Sequence, residues 1–276
     1  MPEVIAAGHL SKMATSHDST IQYQFITNDQ PTDLNPLLGK HIQLRYTGNI
    51  ACCHCGRATK KSFSQGFCYP CFKKLAQCDT CIMSPERCHY DAGTCREPEW
   101  ADQFCMTDHI VYLANSSGIK VGITRVNQVP TRWMDQGAIA ALPILRVATR
   151  QQSGLVEDAL REFVADKTNW RKMLKGEVEQ IDLIEERDRL LELADGKIAE
   201  LQNRFGIQSI QFIEDSDVYE FNYPVNEHPT KVKTHNLDKE PLVEGVLQGI
   251  KGQYLILDTG VINIRKFTSY HVELSA

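Results

Sequence analysis

The residues best suited to chemistry in this chain are its ten cysteines, all of which lie between Cys52 and Cys105. The first four read Cys52-x2-Cys55-x12-Cys68-x2-Cys71. Two C-x2-C pairs across a short loop let four thiolates converge on one zinc ion, and a closed four-sulfur set of this kind is structural rather than catalytic. Cys53 is left over and reads as a small buried hydrophobe or an alternate ligand. A second set reads Cys78-x2-Cys81-x6-Cys88-x6-Cys95, with Cys105 ten positions further on and His89 and His109 as substitutes. The preferred second site is Cys78, Cys81, Cys88 and Cys95 around another structural zinc. An iron–sulfur cluster also takes four thiolates, so spacing leaves that alternative open. Pro70, Pro85, Gly93 and Pro98 make the stretch rich in loops, so that metal stands in for a hydrophobic core.

Composition sets the frame for these clusters. The chain has 276 residues, 42% hydrophobic and 24% charged, which is room for two or three domains and argues against wholesale disorder. The opening MPEVIAAGHLSK lacks the basic-then-apolar pattern of a secretory leader. The longest apolar run, residues 138–145, is far too short for a membrane span. The expectation is a cytoplasmic protein with no membrane partner, in a compartment where grouped thiols bind metal instead of pairing. Under the net charge of −5 lies a regional contrast. Residues 111–175 carry ten Lys and Arg against five Asp and Glu, whereas residues 176–240 carry seven against sixteen. A local positive field permits a polyanionic partner. Gly-x-Gly-x-x-Gly after a strand, Gly-Lys-Ser/Thr phosphate loops, His-Glu-x-x-His and Gly-x-Ser-x-Gly are all missing from the sequence. That disfavours dinucleotide oxidoreductases, nucleotide triphosphatases, zincin proteases and serine hydrolases.

Beyond the cysteines, residues 109–114 read as a strand, 115–118 as a turn and 119–124 as the returning strand. Pro130 opens a short helix containing Arg132 and Trp133 and ended by Gly137. A strand through 144–147 and a helix from about Ser153 to Asn169 complete a β-β-α-β-α order.

Val111-Tyr112, the turn, Lys120-Val-Gly-Ile-Thr124, Arg132 and Glu157 together resemble a GIY-YIG nuclease domain over residues 109–175, about a quarter of the chain. The small stand-alone bacterial and phage-type members are most similar. The resemblance implies phosphodiester hydrolysis with one divalent metal, Mg2+ or Mn2+. In that reading Tyr112 activates or positions the nucleophile, Arg132 binds the scissile phosphate, and Glu157 is the carboxylate that holds the cofactor metal. Arg presents a fixed fork of donors to phosphate oxygens, and Mg2+ takes hard oxygen ligands while keeping waters. Ile110 stands where the first motif has glycine, and Lys120 where the second has its catalytic tyrosine. Lys120 is therefore either a point-charge contact to phosphate or the mark of a fold that binds without cutting. Each residue also has a plainer explanation. Tyr112 suits a strand aromatic, Glu157 a helix pair with Arg161, and Arg132 a stack on Trp133.

The run Cys88-His-Tyr-Asp-Ala-Gly-Thr-Cys-Arg-Glu-Pro98, with Asp166-Lys-Thr-Asn-Trp-Arg171 downstream, is similar to an uncharacterised bacterial family of domains of unknown function. That similarity implies that the cysteine module and the following fold form one unit. Asp166, Asn169, Trp170 and Arg171 either line the same pocket or cap a helix.

Residues 176–205 read as an amphipathic acidic helix packed on its own chain, with Asp195-Gly196 as a break. Residues 254–257, the Asp258-Thr-Gly260 turn and 261–264 form a hairpin. Ile21, Tyr23 and Phe25, and again Ile42, Leu44 and Tyr46, alternate with polar residues as half-buried strands do. Neither end has enough strands for a sheet of its own, so both are expected to join in one small barrel or sandwich.

The expected fold is therefore α+β, in five parts. These are an N-terminal β segment (1–50), a zinc-binding module (51–108), a GIY-YIG-like domain (109–175), the acidic helix (176–210) and a C-terminal β segment (211–276) joined to the first. The expected function is action on nucleic acid, DNA or RNA, by a zinc-stabilised, metal-dependent endonuclease. The alternatives are a non-catalytic nucleic-acid-binding protein and a zinc-scaffolded protein-interaction module using the acidic region.

Overall fold

The computed structural model describes residues 2–164 and 169–276. Strands β1 (Val4–His9), β2 (Ala14–Ser16), β3 (Gln22–Thr27), β4 (Gln30–Asp33) and β5 (His41–Ile50) come first. Helices α1 (Tyr69–Lys74) and α2 (Pro98–Phe104) lie among the cysteines, separated by short 3-10 turns. The middle of the chain runs β6 (His109–Asn115), β7 (Ile119–Arg125), α3 (Thr131–Asp135), β8 (Ala140–Val147) and α4 (Arg150–Arg161). After it come α5 (Trp170–Leu174), α6 (Leu183–Phe205), β9 (Ile210–Phe212) and β10 (Tyr219–Glu220). Strands β11 (Leu242–Lys251), β12 (Tyr254–Leu257), β13 (Gly260–Asn263) and β14 (Tyr270–Ser275) close the chain. The architecture is mixed α+β with antiparallel sheets.

The two ends of the chain share one six-stranded sheet, in the order β1-β14-β5-β11-β12-β13. Short end segments cannot each build a stable sheet, and pairing β1 to β14 and β14 to β5 supplies the missing neighbours. Strand β3, with its inward Tyr23 and Phe25, belongs instead to a three-stranded sheet β2-β3-β4, joined to the larger one by a bridge between Leu10 and Thr27. Both sheets turn their apolar faces into one core.

The middle sheet has the order β10-β8-β6-β7, with β9 also paired to β8. Period-two alternation divides its side chains between two cores. Ile110, Tyr112 and Ala114 face the core built by the chain ends, and Val111 and Leu113 face helices α4 and α6. Strand β6 is thereby buried along its whole length, which is why it reads as one continuous apolar run.

Three element boundaries differ from those expected. Helix α4 begins at Arg150, because Thr149 and Gln152 form a reciprocal capping box there. It ends at Arg161 and does not run on to Asn169, which caps α5 by accepting from the N–H groups of Arg171 and Lys172. Helix α6 starts only at Leu183, where Asp182 accepts from the N–H groups of Ile184 and Glu185, and it passes Asp195-Gly196 without a break. Gly196 faces open space, so its cost is propensity alone, about 1 kcal/mol, while Leu190, Ala194 and Ile198 continue the buried stripe on either side. That stripe packs against α4 and the middle sheet, and no helix among the described residues is long and apolar enough to cross a membrane.

Candidate functional site

Cys52, Cys55, Cys68 and Cys71 meet as the sequence spacing requires. Their sulfurs all lie within 4.8 Å of one another, and Cys55 Sγ to Cys68 Sγ is 3.7 Å. Zinc–sulfur bonds of about 2.3 Å put tetrahedral sulfurs about 3.8 Å apart, so the cluster can hold an ion such as zinc. The chain leaves β5 into the first knuckle, where Gly56 N–H donates to the Cys52 carbonyl at 2.9 Å, and Cys71 follows from the first turn of α1. Burial opposes the charged form of Cys52, but backbone N–H groups of Cys55, Cys68 and His54 donate to its sulfur and bring its pKa down to about 6. Cys53 stays outside the cluster, with Ser269 as its side-chain partner. The second set does not gather in the same way. Cys53, Cys52 and Ser64 act on the Cys78 thiol, whereas Cys81 lies within 4.8 Å of an Asp79 oxygen and a His89 nitrogen.

A cleft of about 800 Å3 opens along β7, the edge strand of the middle sheet, and four consecutive β7 residues, Lys120 to Ile123, line it. The cleft brings together Tyr112, Lys120, Arg132 and Glu157, which come from two strands and two helices. Arg150, Arg161 and Arg171 also line it, so among the described residues five cationic side chains and one carboxylate line the cleft. The regional charge of residues 111–175 is thus concentrated on one surface of a chain whose net charge is −5.

Tyr112 is fully buried, and its hydroxyl donates to Gln136 Oε1 at 2.9 Å. Its ring meets Trp133 edge-on at 5.5 Å and crosses the backbone of Gly122, its register partner on β7. Burial pushes the phenol's pKa up, and the nearby Arg132 guanidinium pulls it back down. A Cβ on residue 122 would sit 2.6 Å from Tyr112 Cζ and its hydroxyl oxygen. Gly122→Ala is therefore expected to cost about 1–3 kcal/mol and to dislodge Tyr112 from Gln136. The urea unfolding midpoint measures the first effect, and an unshifted midpoint would contradict this packing.

Arg132 lies on α3, held in place by Asp135, whose carboxylate binds Lys12 Nζ at 2.6 Å and Gln253 Nε2 at 2.9 Å. Trp133 points the other way, into the core against Tyr112, Tyr219 and Phe221, and is no stacking partner for Arg132. Glu157 is 8% exposed and accepts from Arg161 at 3.1 Å, one helical turn on. Asn169, Trp170 and Arg171 line the cleft as well as serving α5, with Trp170 stacked on Tyr254 and Arg171 over the indole. Asp166 lies outside the described residues.

Reading the sequence residue by residue passes over two members of the cleft. Gln136 sits four positions after Arg132, on the same face of a short helix. Arg150 precedes Glu157 by seven positions and Arg161 by eleven, a spacing that puts all three on one face of α4. Only that periodicity in polar residues could have marked them.

A four-thiol cluster able to hold a metal ion and an arginine-rich cleft, on a mixed α+β scaffold, define the class of this protein. The chain belongs to the family described as protein of unknown function DUF2797, whose model matches residues 39–272. No curated protein and no solved structure matches the chain.

Proposed function

We propose that the protein binds a nucleic-acid backbone in this cleft and hydrolyses a phosphodiester there, as a zinc-stabilised, GIY-YIG-like nuclease. The observation that carries the reading is the convergence of Tyr112, Lys120, Arg132 and Glu157 on one cationic cleft. Arg132 offers forked donors to phosphate oxygens, and Lys120 and Arg150 add positive charge. Tyr112, next to Arg132 and hydrogen-bonded to Gln136, is set to help position the attacking oxygen. Glu157 would hold Mg2+ or Mn2+, and a single carboxylate suits an ion whose remaining ligands are waters and substrate phosphates. The bound ion would supply charge neutralisation on the phosphate oxygens.

A second reading has its own observation. Lys120 occupies the cleft where the resemblance requires a second tyrosine, which favours binding without hydrolysis. Anisotropy titrations with short DNA and RNA, single- and double-stranded, separate the cases. Arg132→Ala is expected to weaken binding about 10- to 100-fold, from the roughly 1.5–3 kcal/mol of a charged hydrogen bond, and to lower the salt slope by about one. The exposed Lys239→Ala serves as a control and should change neither. Cleavage with Mg2+ or Mn2+ that disappears in Glu157→Ala supports the nuclease. Binding with a steep salt slope but no cleavage, unchanged in Glu157→Ala, selects the binding protein. Absence of salt-dependent binding to every probe rejects both and leaves the protein-interaction reading.

A further inference from the structure

The cysteines beyond Cys71 have no part in that cleft chemistry, yet the segments that carry three of them are tied to α4, which lines the cleft. We propose that Cys81, Cys88, Cys95 and Cys105, without Cys78, ligate a second metal centre, a four-iron iron–sulfur cluster.

Three of the four ligand-bearing segments are fastened to the first turn of α4. Arg150 N–H donates to the Cys105 carbonyl at 2.7 Å, Arg150 Nη2 to the Ile82 carbonyl at 2.6 Å, and Gln151 Nε2 to the Cys88 carbonyl at 3.2 Å. Gly154 allows the approach, since a Cβ there would meet Glu86 N and Pro85 Cβ at 2.7 Å. Cys81 Sγ lies within 4.8 Å of a nitrogen of His89, the neighbour of Cys88, and His89 Nδ1 is 2.8 Å from Oγ1 of Thr94, the neighbour of Cys95. The fields of Cys88, Cys105 and Cys95 act on the Cys81 thiol, and those of Cys88 and Cys95 on Cys105.

Their spacing distinguishes this set from the first. Cys52, Cys55, Cys68 and Cys71 have the contact distances of sulfurs around one zinc. Among the described residues no three of Cys81, Cys88, Cys95 and Cys105 have sulfurs all within 4.8 Å of one another. A single zinc requires all four within about 3.8 Å. A polynuclear cluster places each thiolate on a separate iron and so takes a wider ring of sulfurs. The tighter trio of Asp79, Cys81 and His89 is already engaged, with Asp79 bound to Arg96 Nε at 2.7 Å and to Thr80 N at 2.6 Å, and His89 Nδ1 to Thr94 Oγ1 at 2.8 Å.

A second observation points the same way. Arg150 Nε is sealed from solvent with no hydrogen-bond partner, and Cys105, Cys81 and Glu157 are the acidic groups near its guanidinium. A tetrathiolate metal centre carries net negative charge and would sit beside that buried cation. His109, four residues after Cys105, is also fully buried with Nε2 unpartnered, while its Nδ1 lies 2.6 Å from the Thr107 carbonyl.

The test is the metal inventory of the full chain purified without oxygen. The expected result is about four iron, about four acid-labile sulfide and about one zinc per chain, with a visible absorption band bleached by dithionite. About two zinc and no iron, even after reconstitution with ferrous iron and sulfide, overturns the proposal. Cys105→Ser should lose the iron and keep the zinc, and Cys78→Ser should keep both. If Cys105→Ser does not fold, the wild-type inventory and Cys78→Ser still decide the matter. Iron lost from Cys78→Ser, or stripped by His109→Ala but not by Cys105→Ser, overturns the ligand assignment.

Discussion

Removing the ion from the Cys52, Cys55, Cys68 and Cys71 site is expected to unfold residues 51–78 while the middle sheet persists. Apparent binding free energies of structural zinc in small modules are about 10–16 kcal/mol, as large as the whole stability of an ordinary domain. Little else holds this stretch together. Cys52 and Cys68 are buried, and the loop between the pairs contributes two short bridges, Ala51–Ala58 and Phe63–Phe67, and ring contacts of Phe63 with Tyr69 and Phe72. Arg96 donates to the Phe72 and Leu75 carbonyls and Glu97 accepts from Ala76 N–H, and further anchors run to the last turn before β14. Ser269 Oγ donates to the Gly66 carbonyl, Ser62 Oγ to the Thr268 carbonyl, and Arg265 Nε to Gln65. Without metal, four thiols crowd at contact distance with nothing to draw them together. Hydrogen exchange before and after chelation checks the prediction. Residues 51–78 should lose protection and β6 to β8 should keep theirs, and Cys55→Ser should reproduce the pattern. Unchanged protection in a sample shown to be metal-free would contradict it.

Trp133→Ala should cost about 3–5 kcal/mol, the largest loss expected from one core substitution here. The indole is fully buried where the middle sheet meets the terminal sheets, with ring centroids of Tyr112, Tyr219 and Phe221 at 5.5, 4.9 and 6.3 Å. Truncation leaves a cavity at the junction of the two layers and frees both Tyr112 and the helix carrying Arg132. For a chain of this size each kcal/mol moves the melting temperature by about 2–4 °C, so calorimetry will resolve the effect. Trp133→Phe offers a contrast. It keeps an aromatic edge against Tyr112 and removes an indole N–H that has no partner, which offsets part of the lost packing. If the two variants melt together, near the wild type, the indole does not join the layers as described.

How much of this was legible beforehand differs from feature to feature. The first metal site was legible almost whole, because two C-x2-C pairs and one loop length leave thiolates little choice of partner. The β-β-α-β-α order was legible from strand composition, from Pro130 and from the turn at residues 115–118. The end of α4 was not, because Phe163 and Val164 prolong an apolar rhythm that the helix itself abandons after Arg161. The break expected at Asp195-Gly196 failed for a related reason. Glycine lowers helix propensity by only about 1 kcal/mol, and burial of Leu190, Ala194 and Ile198 outweighs it.

The second cysteine group marks the limit of spacing as a guide. Cys78 and Cys81 form a C-x2-C pair, but they lie in two successive 3-10 turns, Ala76–Cys78 and Thr80–Ile82, and different groups act on the two thiols.

By itself, then, the sequence determined what local chemistry can determine: a tetrathiolate site from ligand spacing, strands and helices from periodicity, and a segment of positive charge from composition. Only the tertiary structure decided which of those charges act together. Tyr112, Lys120, Arg132, Arg150 and Glu157 are separated by up to forty-five positions, and apart from the shared face of α4 that carries Arg150 and Glu157 nothing local relates them. They share a cleft because β6 is buried on both faces, which places α3 and the terminal sheets on one side of it and α4 on the other. Long-range packing of this kind is paid for by apolar burial, and residue spacing carries no record of it.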